Sequence, residues 1–279
     1  MKNLYFVNVE AKHIHLPNSR WYEIGDYEKS GMAYPGATTI LGVKNKAQLT
    51  NWQVQLAKSG VDPKEVGQRN MDEGSLVHNA AELLMKGEEL TYSEEYDFYG
   101  TWLPLCRFAE AYHELKIDPI LIEQMIWSNR MEAAGTLDLL SFITPKDRKT
   151  PQLALIDLKR SANAYVDYQW QIAAYKEMLL EMVSKPDQYS KGVVTFLCQK
   201  MSVDIEELIE MIKNLRCYLL LLNTPTKKGW RLTEVNNIEN KLAGFEACNA
   251  LFKIENPNLA YVRELYPIEL TLNLGKDEI

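Results

Sequence analysis

Three charged residues interrupt two apolar runs near the middle of the chain. Asp138 lies in the run 134–144, and Asp157 and Lys159 lie in the run 152–159. A charge in a segment otherwise suited to burial requires a partner or a metal ion, because a lone buried charge is costly. Two carboxylates are suitable ligands for Mg²⁺, whose remaining positions are filled by water and phosphate oxygens. The metal would polarise a phosphodiester and activate a bound water, while Lys159 would offset charge that develops on the phosphate.

Both runs have the composition of β-strands, and residues 145–151 between them have the proline-bounded, charged composition of a surface turn. The sequence therefore predicts a β-hairpin. Because side chains alternate between the two faces of a strand, Asp157 and Lys159 share a face with the apolar residues two and four positions earlier. A hairpin centred near residue 148 sets Asp138 opposite residue 157 or 158. We therefore predict a one-residue offset or a bulge that brings Asp138 and Asp157 to the same side.

The simplest alternative is a buried ion pair between Asp157 and Lys159, which is the usual explanation of an isolated Asp-x-Lys in a strand. Buried ion pairs are weak sources of stability, and an unpaired third charge beside them costs several kcal/mol. The ion pair alone leaves Asp138 without a role. The three residues together therefore favour a chemical site over a structural pair.

The composition is that of an ordinary globular protein. The chain has 279 residues, of which 46% are hydrophobic and 25% charged, and its net charge of -7 excludes a generally basic nucleic-acid coat but not a local basic groove. Its 4 cysteines form no Cys-x-x-Cys pair, so neither a zinc finger nor a disulfide framework is indicated. With no run long enough to span a membrane, we expect a soluble protein of the reducing cytoplasm.

The flanking sequence predicts the elements that must position the charged residues. We expect one α/β domain with a central mixed sheet flanked by helices. Its parts are a β ribbon over residues 1–33, a helical lobe over 34–118, a core over 119–200 and a mostly helical part over 201–279.

Start and stop signals divide the helical lobe. Asp62 and the proline after it begin one helix, and a further helix should be capped by Ser75 and stopped by Gly87. Nearer the start of the lobe, Thr38 or Thr39 would cap a short helix.

The core should contain a strand over 119–127, which carries Glu123 and makes a three-stranded meander with the hairpin. A helix over 165–182 follows, on which Gln171 and Tyr175 are four residues apart and project together. The remaining predicted elements are a strand over 192–198 and helices over 204–222 and 236–252.

Five short motifs follow one another in a recognisable order. They are Gly74-Ser-Leu-Val-His78, Glu123, Gly135-Thr-Leu-Asp138, Asp157-Leu-Lys159 and Gln171-Ile-Ala-Ala-Tyr175. The sequence over about residues 34–200 thereby resembles the PD-(D/E)XK nuclease superfamily, and within it the RecB-like exonucleases. The segment that begins at Tyr34 also resembles the opening of phage-encoded and mitochondrial-genome-maintenance members.

The resemblance implies a restriction-endonuclease-like core and a role for each motif. It implies metal ligation by His78, Asp138, Asp157 and the Leu158 carbonyl, with Glu123 and Glu82 around the metal or on a second one. The implied catalytic set is Asp138, Asp157, Lys159, Gln171 and Tyr175. Beside it, Arg160, Ser161 and Lys149 are expected to contact nucleic acid, although a solvated turn explains Lys149 equally well.

The implied cofactor is Mg²⁺ or Mn²⁺, as one or two ions. No Fe–S cluster is expected, because the cysteines lack the one-plus-three spacing of the relatives that carry one. The implied substrate is DNA, single-stranded or with free ends. A recombination or single-strand-binding protein is a candidate partner, and any helicase motor would be a separate chain because no phosphate-binding P-loop motif is present.

The resemblance thus predicts a metal-dependent DNA exonuclease of recombination, repair or phage DNA processing, in a bacterial or phage-infected cytoplasm. Three alternatives stay open at this point. They are a structure-specific or single-strand endonuclease of the same fold, a non-catalytic nucleic-acid-binding module, and a metal-dependent hydrolase of another phosphate ester.

Overall fold

The computed structural model describes residues 7, 9–16, 19–44, 47–94, 96–146 and 148–257. Its strands, in chain order, are β1 (Ala11–Leu16), β2 (Ser19–Ile24), β3 (Ala33–Pro35), β4 (Asp118–Ser128), β5 (Ala133–Ile143), β6 (Gln152–Lys159), β7 (Arg216–Leu221) and β8 (Arg231–Glu234). The first three form a small antiparallel sheet, which confirms the predicted β ribbon and adds a third strand. The predicted strand residues before Val7 lie outside the described part.

The helices flank these strands. They are α1 (Tyr27–Ser30), α2 (Ala37–Ile40), α3 (Ala47–Lys58), α4 (Pro63–Met85), α5 (Leu103–Glu114), α6 (Val166–Ser184), α7 (Lys191–Met201), α8 (Ile205–Lys213) and α9 (Ile238–Glu255), with a 3-10 turn over Leu41–Val43 and a π-helical turn over Phe98–Trp102. In the described part of the chain, none of them combines the length and apolar character that crossing a membrane requires.

The central sheet is mixed and has the strand order β4-β5-β6-β7-β8. β4, β5 and β6 form the predicted antiparallel meander, whereas β6 and β7 are parallel. A parallel pair needs a crossover connection, and α6, α7 and α8 supply it. The fold is therefore α/β with helices around a mixed sheet, as expected.

Helices cover both faces of this sheet. Alternate residues of β6 and β7 belong to two separate clusters of buried side chains, as the pleat requires. Leu155 and Leu219 pack in the cluster that contains α6, and Ile156 and Leu220 pack in the cluster that contains α4 and α5. The site can therefore receive side chains from α6 on one face and from α4 on the other.

Two predicted elements after the hairpin are wrong. Residues 192–198 form α7 rather than a strand, and the buried residues Val193, Val194 and Leu197 lie at helical spacing. The predicted helix over 204–222 ends at Lys213, and its last part is β7. β7 is a continuous apolar run because a parallel strand inside a sheet is buried on both faces. The central sheet therefore extends well beyond residue 200.

The break predicted at Ser75 in the helical lobe is wrong. α4 begins after Asp62, whose carboxylate accepts a hydrogen bond from the Lys64 amide, and it runs unbroken to Met85. Ser75 does not cap a new helix, because its hydroxyl donates to the Met71 carbonyl one turn earlier. The predicted stop is confirmed, since Gly87 has a φ of 87° just past the helix.

The short helix α2 is present, but its predicted cap is wrong. Gly36 occupies the N-cap position, and both Thr38 and Thr39 lie inside the helix. The Thr39 hydroxyl instead accepts a hydrogen bond from the Arg20 amide at 2.9 Å. Thr39 therefore ties α2 to β2.

A glycine in β5 allows α6 to lie close to the sheet. A Cβ atom at Gly135 would lie 2.3 Å from a ring carbon of Tyr175. No side chain can be accommodated there without moving the ring, since real Cβ contacts are much longer. This close approach gives a physical reason for the glycine three residues before Asp138.

We predict that Gly135→Ala lowers the free energy of unfolding by about 1–3 kcal/mol, the usual range for overpacking a core. Urea unfolding measures it. Gly67→Ala in α4 is the matched control, because an added Cβ there meets no atom within 4 Å, and it should be neutral or slightly stabilising. In a Tyr175→Ala background Gly135→Ala should cost far less; equal costs in both backgrounds would contradict the steric account.

Candidate functional site

Three adjacent strands each contribute one carboxylate to the site. The residues on either side of Glu123 in β4 pair with the residues on either side of Asp138 in β5. β5 and β6 keep one register from Ile143 to Leu139, and extending it by one residue sets Asp138 opposite Asp157. Opposite residues of an antiparallel pair point to the same face. Asp138 therefore stands between the other two carboxylates.

The hairpin register is offset by one residue from a hairpin centred on residue 148, as predicted. No bulge interrupts the paired segment of β5 and β6. The irregularity lies instead between β4 and β5, where the register shifts between Pro119 and Leu121.

The backbone of Glu123 is unusual for a strand residue. Its φ of 47° lies in the left-handed region, which residues other than glycine rarely adopt. Strain of this kind persists only where the surroundings impose it, and it is concentrated at functional sites. In this conformation Glu123 Oε1 lies 3.8 Å from Nδ1 of His78.

His78 reaches the carboxylates from α4. Its Nδ1 atom lies 3.6 Å from Asp138 Oδ2, and one potential ligand atom from each of His78, Glu123 and Asp138 lies within 4.8 Å of the others. The structure thus brings together three residues that were predicted separately, from a helix and two strands.

Asp157 and Lys159 complete the group. Lys159 Nζ lies 2.8 Å from Asp157 Oδ2 and also 5.1 Å from the ring centre of Tyr168. Both Asp157 oxygens are buried, and within the described residues neither accepts a hydrogen bond of regular geometry. His78, Glu123 and Asp138 offer an imidazole nitrogen and carboxylate oxygens that converge, a donor set that suits Mg²⁺ or Mn²⁺.

Asp138 is held by the strand that carries Asp157. The Leu158 amide donates a hydrogen bond of 2.6 Å to Asp138 Oδ2. This contact fixes the Asp138 carboxylate and leaves its other oxygen for a ligand. The role predicted for the Leu158 carbonyl stays a prediction.

Burial and mutual proximity shift the pKa values of four residues of the site, which are His78, Asp138, Asp157 and Lys159. Burial raises the pKa of Asp157 to about 6, against the opposing effect of Lys159, and it also raises the pKa of Asp138. Burial alone would lower the pKa of His78, but Asp138 and Glu123 raise it to about 9. Burial likewise opposes the charge on Lys159, whose pKa the carboxylates nevertheless raise. At neutral pH His78 is therefore positively charged. In the metal-free protein this charge offsets the neighbouring carboxylates, as a bound cation would.

Two residues of α6 support the site from the other face. Gln171 Nε2 donates to the Tyr175 hydroxyl at 2.8 Å, so the two side chains project together as predicted, and both are buried. Burial raises the pKa of Tyr175 well above its ordinary value, and the nearby charges of Asp157 and Asp138 add to this effect. The phenol therefore stays protonated and remains a hydrogen-bond donor.

Tyr168 was not predicted as a site residue, although a signal for it exists. It lies three residues before Gln171, which places it on the same helix face. Its ring lies beside Lys159, so it helps to hold the ammonium through a cation–π contact.

The structure does not bring the remaining predicted residues to the carboxylates. Arg160 pairs with Glu73, Ser161 bonds to Asn163, and Glu82 pairs with Lys86. Lys149 is exposed in the hairpin loop, and the strand between that loop and Asp157 is about 17 Å long at 3.3 Å per residue.

No protein-family model matches the sequence, and a search of curated proteins likewise finds no match.

The charge of His78 should make the metal-free protein less stable at high pH. Because the pKa of His78 is raised from 6.5 to about 9, its stabilising contribution is complete below pH 6.5 and is lost as the pH rises to 9. The loss is on the order of 3 kcal/mol. Urea unfolding in EDTA at pH 6 and pH 9 should show a smaller decrease for His78→Gln than for the parent. Equal decreases in the two proteins would contradict the assignment of this effect to His78. When Mn²⁺ replaces EDTA, the loss of stability between pH 6 and pH 9 should become smaller in the parent but not in His78→Gln.

Proposed function

We propose that this protein is a metal-dependent DNA exonuclease of the PD-(D/E)XK type, similar to the RecB-like exonucleases. The observation that carries the proposal is the row of Glu123, Asp138 and Asp157 across three strands, with His78 and Lys159 beside it. An ion pair explains only two of these residues. A cation bound to a phosphodiester accounts for all five.

The order of elements supports the proposal. A helix with His78 precedes the meander that carries the three carboxylates, and a helix with Gln171 and Tyr175 follows, before the parallel strand β7. This is the order in which the resembling family arranges its motifs. Because motif order alone does not establish an activity, the proposed chemistry rests on the residues of the site.

The metal would be held by His78, Glu123, Asp138 and Asp157, and when bound it would polarise the phosphate and lower the pKa of the attacking water. The protein itself places a positive charge beside that position. Lys159 is held by Asp157 and Tyr168, so it can offset negative charge on the phosphate without reorganising during the reaction. Tyr175 accepts a hydrogen bond from Gln171, and its ring packs against Gly135. The two residues thereby support β5, the strand that carries Asp138.

We predict that the protein degrades end-labelled linear DNA with Mg²⁺ or Mn²⁺ and not with EDTA. Asp157→Asn and Lys159→Ala should each lower the rate by about 10²–10³-fold, the range seen when one pre-placed electrostatic group is removed. Lys213→Ala is the matched control, because this exposed lysine ends α8 and pairs with Glu210 of the same helix. Circular dichroism of each variant checks that the fold is retained.

The same assay separates the alternatives. Release of nucleotides from linear DNA but not from closed circles supports the exonuclease, and equal cleavage of closed circles favours an endonuclease of this fold. If Asp157→Asn and Lys159→Ala match the parent at every metal concentration, the protein is a binding module and the catalytic proposal is wrong.

A further inference from the structure

We propose that Arg160 is a positioning residue that fastens α4, and with it His78, to the strand that carries Asp157 and Lys159. The inference deepens the proposed function and rests on it in one respect, namely that His78 is a metal ligand. Sequence alone suggested that Arg160 binds phosphate, because it directly follows Lys159.

Among the residues that the structure describes, the two polar partners of Arg160 both lie on α4. Its Nη1 atom lies 2.9 Å from Glu73 Oε2, and its Nη2 atom donates to Asn70 Oδ1 at 2.7 Å. Asn70 and Glu73 are one turn apart and therefore share a helix face. A guanidinium can engage both at once because its donors form a rigid planar fork. The side chains of Arg160 and Glu73 are only 16% and 15% exposed, so solvent screens this pair less than an ordinary surface pair.

Glu73 is also held from its other side. A Cβ atom at Gly100, in the π-helical turn, would lie 2.4 Å from the Glu73 carboxyl carbon, so the carboxylate rests directly on this backbone. The Gly100 amide donates to Asp97 Oδ1, which fixes the turn. The Glu73 carboxylate is therefore confined between the π-helical turn and Arg160.

The pair with Arg160 lies in the part of α4 that contributes no buried side chain to the core. The buried residues of α4 begin at Val77, and no residue of this helix before Val77 is buried. His78 follows Val77 directly and lies five residues, about 7.5 Å of helix axis, beyond Glu73. Because α4 is continuous through Val77, movement of a first half that has lost the pair is transmitted along the helix to His78, the residue directly after Val77.

The two roles of Arg160 make different predictions for binding. A phosphate contact contributes about 0.9 to the slope of log K against log salt for DNA, so removing it should reduce that slope by about 1. A residue that orients a metal ligand instead changes metal affinity, typically by 10–100-fold. The salt slope for DNA should then stay as in the parent.

The experiment compares the parent with Arg160→Gln, Glu73→Gln and the double variant. Calorimetric titration with Mn²⁺ in the absence of DNA should show affinity about tenfold or more weaker for each single variant, and no further loss in the double variant, because both changes break one pair. Arg130→Gln is the matched control, since Arg130 likewise engages two side chains, those of Glu177 and Glu246, and neither of them is a residue of the site. It should bind Mn²⁺ like the parent.

A second measurement needs no metal. In EDTA, hydrogen exchange of the α4 amides up to His78 should be faster in Arg160→Gln than in the parent, with the exchange of β5 unchanged. Unchanged α4 exchange, or parental Mn²⁺ affinity together with a salt slope reduced by about 1, would overturn the proposal. If the parent itself binds no Mn²⁺, the metal-dependent function fails, and the exchange of α4 alone decides whether Arg160 holds the helix.

Discussion

The burial of Asp138 and Asp157 side by side is the constraint on which the rest of the structure depends. Both carboxylates are less than a tenth exposed, and burial raises the pKa of each. The charge of Asp138 raises the pKa of Asp157 further, and that of Glu123 raises the pKa of Asp138. Lys159, His78 and the Leu158 amide offset part of this cost. Because a hydrophobic pair would be as stable as such a cluster, its retention is better explained by function than by stability.

Strand pairing in the central sheet fixes the positions of Asp138, Asp157 and Lys159 relative to one another. β6 is flanked by antiparallel β5 on one side and parallel β7 on the other, so its backbone is hydrogen-bonded along both edges. A slip of one residue would send Asp157 and Lys159 to the opposite face. α4 and α6 pack on opposite faces, and α4 brings His78 to Asp138 while α6 brings the Tyr168 ring to Lys159. The strain at Glu123 lies at the one strand of the meander that has no further neighbour in the described sheet.

The elements predicted correctly from the sequence are those with a long periodic pattern or with charges inside an apolar run. The hairpin and the helix over 165–182 were predicted because charges interrupt apolar runs in the first and helical periodicity extends over five turns in the second. Residues 192–198 and 216–221 were assigned to the wrong class, because a short apolar run of β-branched or leucine residues is compatible with a helix and a strand alike. Only the tertiary environment decides between them.

The residues of the candidate site could be predicted from the sequence, but their geometry could not. His78, Glu123, Asp138, Asp157 and Lys159 were all identified, since each stands in a motif or in an apolar run. The left-handed backbone of Glu123 and the pairing of Arg160 with Glu73 depend on contacts between distant segments. A local pattern carries no information about them, and the position of Arg160 next to Lys159 suggested a different role.

The parallel pairing of β6 with β7 has a consequence for the order in which the site forms during synthesis. All three carboxylates lie in the meander, which leaves the ribosome before the three crossover helices and β7. Until β7 arrives, one edge of β6 has no hydrogen-bonding neighbour, and nothing holds Asp157 and Lys159 in register from that side. Formation of the site is thus coupled to completion of the sheet. A chain that stopped short of β7 would contain every charged residue of the site but only one of the two strands that flank β6.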